Sequence, residues 1–188
     1  MTEQNESFKD RQKRTKAPLQ FALYKGARGK FGALRIKLKK AYQNDKRDRD
    51  DGCVFLEMAP SVGNNIYDWE NSKIIMALGI TDIPKIILYL RSFRHPMFKS
   101  KDDPDVFQLK LYHDKGAGTN TKGQDVTTFT LNKPDGKNNF FATLYQKSTG
   151  KTATVTVSPD EAIAMGILLQ AAIPLILAWW PDAPANDR

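Results

Sequence analysis

"KTATVTVSPDEAIAMGILLQAAIPLILAWW", residues 151–180, changes character in its middle. Through Val157 it reads as a β-strand. At Ser158 a helix opens: Ser158 takes the N-cap, Pro159 the first helical position, and Glu161 completes a capping box. The helix then enters residues 162–180, nineteen residues without a charge. At helical rise such a run reaches roughly 28 Å, close to the hydrocarbon thickness of a bilayer. Trp179 and Trp180 would also suit an interfacial belt. Against an anchor stand Gln170 and Pro174, which interrupt the run, and the lack of a following basic cluster. Ala162, Ala164, Gly166, Ala171 and Ala172 are small enough to let other backbone approach closely. A helix apolar all round is also what lies between two sheets. We therefore expect a buried core helix, with a C-terminal membrane anchor as the competing reading.

The sequence upstream supplies the sheets. Strands are expected at 19–25, 33–39, 53–59 and from about 65–70, followed by a helix on "TDIPKIILYLRSF" (81–93). There Thr81 or Asp82 can cap, Pro84 sits in the first turn, and Ile83, Ile86, Ile87 and Leu90 share one face. Four more strands are expected at 106–113, 126–132, 139–147 and 151–157, with turns at "PDG" (134–136) and "STG" (148–150). Four strands and a helix thus occur twice, an α+β architecture of ββββα-ββββα order. The expected division is a flexible basic arm (1–18), one domain (19–180) and a short tail (181–188). The loop at 114–124 is Gly-rich and polar, and is expected to be mobile.

The net charge of +8 is unevenly placed. Residues 9–40 carry twelve cations and one acid, while the rest carries seventeen cations and twenty acids. Such a concentration is a footprint for a polyanion. In "ALRIKLK" (33–39) Arg35, Lys37 and Lys39 alternate with Leu34, Ile36 and Leu38, which puts the cations on one face of a strand.

No catalytic constellation is present. "STGKT" (148–152) ends like a phosphate-binding loop, but Tyr145 stands where the first glycine is required. His95 and His113 are solitary in the sequence, and Asp48, Asp50 and Asp51 alternate with cations as in a solvated loop. The single cysteine, Cys53, makes no internal disulfide, which fits a reducing intracellular setting. No enzyme activity, metal or cofactor is expected.

"GCVFLEMAPSVGNNIYDWENSKIIMALGITDIPKIILYL" (52–90) resembles the Whirly single-stranded DNA-binding proteins of plants. The likeness rests on Ala59, Pro60, Ser61 and Gly63, then Tyr67, Asp68 and Trp69, ahead of a strand and a short helix. "YKGARGKFGAL" (24–34) is similar to an expanded form of the family's Lys-Gly-Lys-Ala-Ala-Leu signature, with two registers open, on Lys25 or on Lys30. "YHD" (112–114) and the proline-containing last helix match in place, so the resemblance spans about 20–180. It implies two antiparallel four-stranded sheets packed at an angle. It also implies a homotetramer cored by the helices, and single-stranded DNA held with little sequence preference. A bacterial or phage member in the cytoplasm, serving replication, recombination or repair, is the expectation. Trypanosome guide-RNA-binding proteins share the fold, so RNA binding or annealing is the alternative.

A single strand needs cations along its phosphates and flat apolar surfaces for its bases. Lys25, Arg28, Lys30, Arg35, Lys37 and Lys39 are the candidates for the first, and Tyr24, Phe31, Tyr67 and Trp69 for the second. Tyr67 and Trp69 should point to one side of a strand, and Phe140 and Phe141 to opposite faces, so at most one of that pair meets a ligand.

Overall fold

The computed structural model describes residues 20–25, 31–39, 42–43, 49–50, 52–63, 65–101, 103, 105–115 and 120–178. The N-terminal arm, Arg28, Lys30, the middle of the 114–124 loop, Trp179, Trp180 and the tail lie outside that set.

The first sheet is built from β1 (Gln20–Tyr24), β2 (Ala33–Lys39), β5 (Cys53–Ala59) and β8 (Ile74–Leu78), hydrogen-bonded in that order and antiparallel throughout. Two short ribbons sit in its connections, β3 (Tyr42–Gln43) with β4 (Arg49–Asp50), and β6 (Ser61–Gly63) with β7 (Ile66–Tyr67). The second sheet is a meander of β9 (Gln108–Asp114), β10 (Val126–Asn132), β11 (Phe140–Gln146) and β12 (Lys151–Val157). Alternation decides the faces: Leu34 and Ile36 are buried on β2, Phe129 and Leu131 on β10, and Ala153, Val155 and Val157 on β12. Phe140 is buried and Phe141 lies on the outward face, as period two requires.

The fourth strand of the first sheet is not the expected run from 65. The Asp68 carboxylate accepts from the Asn71 N–H at 2.8 Å and from the Ser72 hydroxyl at 2.6 Å, an Asx-type turn that ends extended backbone at Tyr67. The strand resumes at Ile74.

Helix α1 (Ile83–Arg91) buries Ile83, Ile86, Ile87 and Tyr89. Leu90, expected on that face, is only partly covered, and Tyr89 takes the fully buried place. Tyr89 is anchored there: its hydroxyl donates to the Phe107 carbonyl at 2.8 Å and accepts from the Lys133 N–H at 3.1 Å. Burial pushes this phenol up to about 12, partly opposed by the Lys133 N–H, so it stays a donor at any physiological pH.

Asp82 occupies the N-cap of α1, but its side chain does not cap the helix. Instead the carboxylate accepts from the Gly79 N–H at 3.1 Å and meets His113 Nε2 of β9 at 3.0 Å, tying the first half of the chain to the second. His113 is therefore not solitary in space. Burial pushes the Asp82 carboxyl up, but the His113 and Gly79 contacts outweigh it and hold it below the ordinary value. A depressed carboxyl stabilises the fold above its unfolded pKa and withdraws that stability as pH falls through the folded value. We expect Asp82→Asn to cost about 1 kcal/mol at neutral pH. The variant should also lose less stability than the parent in urea melts taken from pH 5 downward. Parallel curves for the two proteins below pH 4 would contradict this.

Helix α2 (Pro159–Ala178) opens as its sequence indicates. Glu161 accepts from the Ser158 N–H at 2.8 Å, and the Ala162 N–H donates to the Ser158 carbonyl. Half of the capping box is made; the Ser158 hydroxyl donates to Asp160 instead. Ala162, Met165, Leu169, Ala172 and Ile176 enter the common core with α1 and both sheets. The rest of the helix departs from expectation. Ile163 and Ile167 are 65% and 63% exposed, and Leu175 and Leu177 are exposed too. Within one chain the helix is covered on one side only. By length and composition alone Pro159–Leu177 is apolar enough to cross a membrane, with 28% of that window buried.

Candidate nucleic-acid interface

Register brings the predicted residues of the first sheet into rows on its outward face. Arg35 lies between Ala22 of β1 and Glu57 of β5, Lys37 between Gln20 and Phe55, and Lys39 beside Cys53. Tyr24 stands at the end of β1, opposite Ala33.

The cations of this face are not free charges. Arg35 donates from Nε to Glu57 Oε2 at 2.9 Å, with its terminal nitrogen 2.8 Å from the same oxygen. Lys37 Nζ approaches that oxygen at 3.3 Å. Glu57 faces outward by register, yet it is only 4% exposed. The two cationic side chains help to cover it. The guanidinium of Arg35 also lies 4.0 Å from the Trp69 ring centroid. Arg35 is thus pinned between a carboxylate and an indole, an arrangement suited to a planar cation. The trio Arg35, Lys37 and Glu57 keeps one net positive charge rather than two.

Trp69 is half-buried and lies in a turn rather than on a strand shared with Tyr67; its N–H donates to the Tyr67 carbonyl at 3.0 Å. The expected common strand is absent because β7 is only two residues long. Both rings nevertheless join the same neighbourhood. Tyr67 meets Tyr24 with centroids 5.4 Å apart, and Tyr24 is exposed. The ribbon that carries Tyr67 also displays Val62 and Ile66, both exposed. Its turn uses Asn65 at φ 58, a left-handed conformation asparagine tolerates.

The other predicted residues are placed differently. Lys25 forms a 2.6 Å ion pair with Glu161, locking the end of β1 to the start of α2. Burial pushes the Glu161 carboxyl up, but Lys25 and the Ser158 contacts more than reverse this and hold it below its usual value. Lys39 Nζ lies 5.2 Å from the Phe55 ring centroid. Phe31 crosses to the second sheet, its ring 6.2 Å from that of Phe141. The structure therefore brings together Tyr24, Arg35, Lys37, Tyr67 and Trp69, and assigns Lys25 and Phe31 to joints between elements.

Sequence reasoning missed Glu57, Val62 and Ile66. Glu57 left a signal: it is the one acid in an otherwise apolar strand, on the parity that register sets against Arg35. The exposed ribbon left none, because Val62 and Ile66 read as ordinary strand residues.

Comparison with known proteins agrees with this architecture. The family described as "Whirly transcription factor" matches residues 23–167. Among solved structures, WHY1 from Arabidopsis thaliana superposes with a TM-score of 0.64 at 17% identity, covering 87% of this chain and 88% of that one. The plant transcriptional regulator PBF-2 gives 0.65 at 20% identity, covering 87% and 85%. A guide-RNA-binding protein complex bound to a guide RNA gives 0.50 at 13% identity, covering 87% and 94%. No curated protein matches the sequence. The family description is that of a transcription factor, not of an enzyme. Because the match runs from the end of β1 into α2 and so takes in both sheets, the chain belongs to the Whirly family.

Proposed function

We propose that this protein binds single-stranded DNA with little sequence preference and protects or organises it during replication, recombination or repair. One observation carries the proposal: cations and aromatic rings share one outward face, with Tyr24 against Tyr67 and Arg35 on Trp69. Unstacked bases need such rings, and phosphates need the neighbouring cations. Glu57 supports rather than opposes this, because it orients Arg35 and Lys37 while leaving the trio net positive. RNA is the second candidate ligand, favoured by the likeness to a complex bound to guide RNA. We also propose a homotetramer in the cytoplasm of a bacterial or phage-infected cell, with α2 at its centre. The uncovered Ile163, Ile167, Leu175 and Leu177 supply the apolar area such an assembly would bury.

Competition among poly-dT, RNA and duplex DNA tests the ligand. Poly-dT should win, with affinity falling steeply as salt rises, since phosphate contacts dominate. Trp69→Ala should weaken binding by about 1–3 kcal/mol if a base stacks there. Lys37→Glu should weaken it further and flatten the salt dependence. A DNA homopolymer that loses to both competitors would remove the proposal. The same preparation should run as a detergent-free tetramer on a sizing column; sedimentation with membranes would point to an anchor instead.

A further inference from the structure

Whereas Lys25, Arg35 and Lys37 all meet carboxylates, a separate group of lysines does not. A cleft of about 530 Å³ runs beside β9, bordered by α1 and by residues 97–101. Lys85, Lys99, Lys101 and Lys110 line it, together with Met97 and Tyr112, and among the described residues no acidic side chain does. Among the described residues none of the four ammonium groups lies within ion-pair distance of a carboxylate. Lys85 is close enough to Asp82 to favour its charged form, but Asp82 is engaged with His113 and Gly79. Asp103 and Asp105 belong to the segment enclosed by the Lys99–Phe107 bridge and do not line the cleft.

Two further features make this more than a solvated charge cluster. Tyr112 is 60% and Met97 55% exposed, and Lys110 Nζ lies 5.1 Å from the Tyr112 ring centroid. Lys110 thus lies over the Tyr112 ring, while much of the ring and of Met97 stays open to solvent. In addition, β9 is an edge strand of its sheet. Like charges gathered in a concavity repel one another and concentrate positive potential, an arrangement that an anion relieves.

We propose that this cleft is a second binding site for single-stranded nucleic acid, in which the lysines receive successive phosphates and Tyr112, with Met97, takes an unstacked base. A duplex would satisfy the lysines but keeps its bases enclosed. An acidic peptide would leave the tyrosine and methionine surfaces unused. The proposal rests on single-strand binding by the protein and adds a place where the strand is held.

The test uses dT oligomers and the full chain. Lys99 and Lys101 are exposed, so Lys99→Gln/Lys101→Gln should fold normally, as circular dichroism can verify. Loss of two phosphate contacts should reduce the log–log salt slope of binding by about 1.4. Tyr112→Ala should weaken binding on the order of tenfold. Photocrosslinking with 5-iododeoxyuridine in the oligomer should label the peptide containing Tyr112. Suppose instead that wild type binds dT, yet the slope of the double variant, the affinity of Tyr112→Ala and the Tyr112 peptide are all unaffected. The cleft site then falls while single-strand binding stands. A wild-type protein that ignores dT removes both. A duplex or a Glu-rich peptide that binds in preference to dT and protects the cleft lysines from acetylation would also overturn the proposal.

Discussion

Gly32→Ala should lose about 3 kcal/mol of stability or more, enough to lower the melting temperature by roughly 6–12 °C. A Cβ at this position would sit 2.2 Å from the Ala59 carbonyl oxygen and 3.1 Å from its carbon. Both obstacles are backbone, so no rotamer change relieves them. Gly32, just ahead of β2, also ties two distant segments together through its backbone. Its N–H donates to the Thr154 carbonyl of β12 at 2.7 Å, and its carbonyl accepts from the Lys25 N–H at 3.2 Å. Pushing β2 away from β5 therefore strains the bond that links the two sheets. Differential scanning calorimetry of the variant checks this, and an unchanged melting temperature would show that the seam can open without cost. Because Phe31 contacts Phe141 immediately beside the seam, the substitution should disturb the two sheets together rather than melt one of them first.

Removal of the Glu57 carboxylate should be nearly as damaging. Glu57→Ala leaves Arg35 and Lys37 facing each other with no anion between them, both mostly covered. Deleting one partner of a buried ion pair costs about 3–5 kcal/mol; partial exposure of the two cations points to the lower end, about 3 kcal/mol. The measurement is a double-mutant cycle in urea, with Arg35→Ala as the second arm. The double variant should lose less than the two single losses added together, since the Arg35–Glu57 contact is counted in both arms but can be lost only once, while Lys37 stays without its anion in both Glu57 variants. Losses within about 0.5 kcal/mol of zero would class Glu57 with ordinary surface residues. In that event the ordering of Arg35 over Trp69 would need another cause.

Much of the sheet architecture was legible because one face of each strand is buried. The runs 33–39, 53–59, 126–132 and 151–157 are bounded in the structure where alternation and turn residues bound them. The fourth strand of the first sheet was misplaced because "NIYDWE" carries strand-forming residues but is bent by its own Asp68. Local side-chain hydrogen bonds competed with extended backbone and won. Leu90 and Tyr89 changed places for a different reason. Periodicity counts apolar residues, whereas a tyrosine can be buried once Phe107 and Lys133 satisfy its hydroxyl.

The candidate interface was half legible. Residue type and parity put Arg35, Lys37 and Lys39 on one strand face, and the Tyr-Asp-Trp resemblance drew attention to Tyr67 and Trp69. That Arg35 and Lys37 converge on one carboxylate, and that Lys25 belongs to a joint with α2, needed the partner strands and the helix in place. The lysines around β9 had no visible relation at all, being spread from Lys85 to Lys110 across a helix, a loop and a strand.

By itself, then, the chain's order of polar and apolar side chains determined which segments became strands and helices, and which face of each turned inward. Those are local matters, governed by a period of two or 3.6 and by a few turn and cap residues. Which charges stand paired, which remain open, and how much of α2 one chain can cover were decided only when distant segments met. Electrostatic pairing and burial depend on distance in space, and the sequence carries no measure of that before the sheets close on each other.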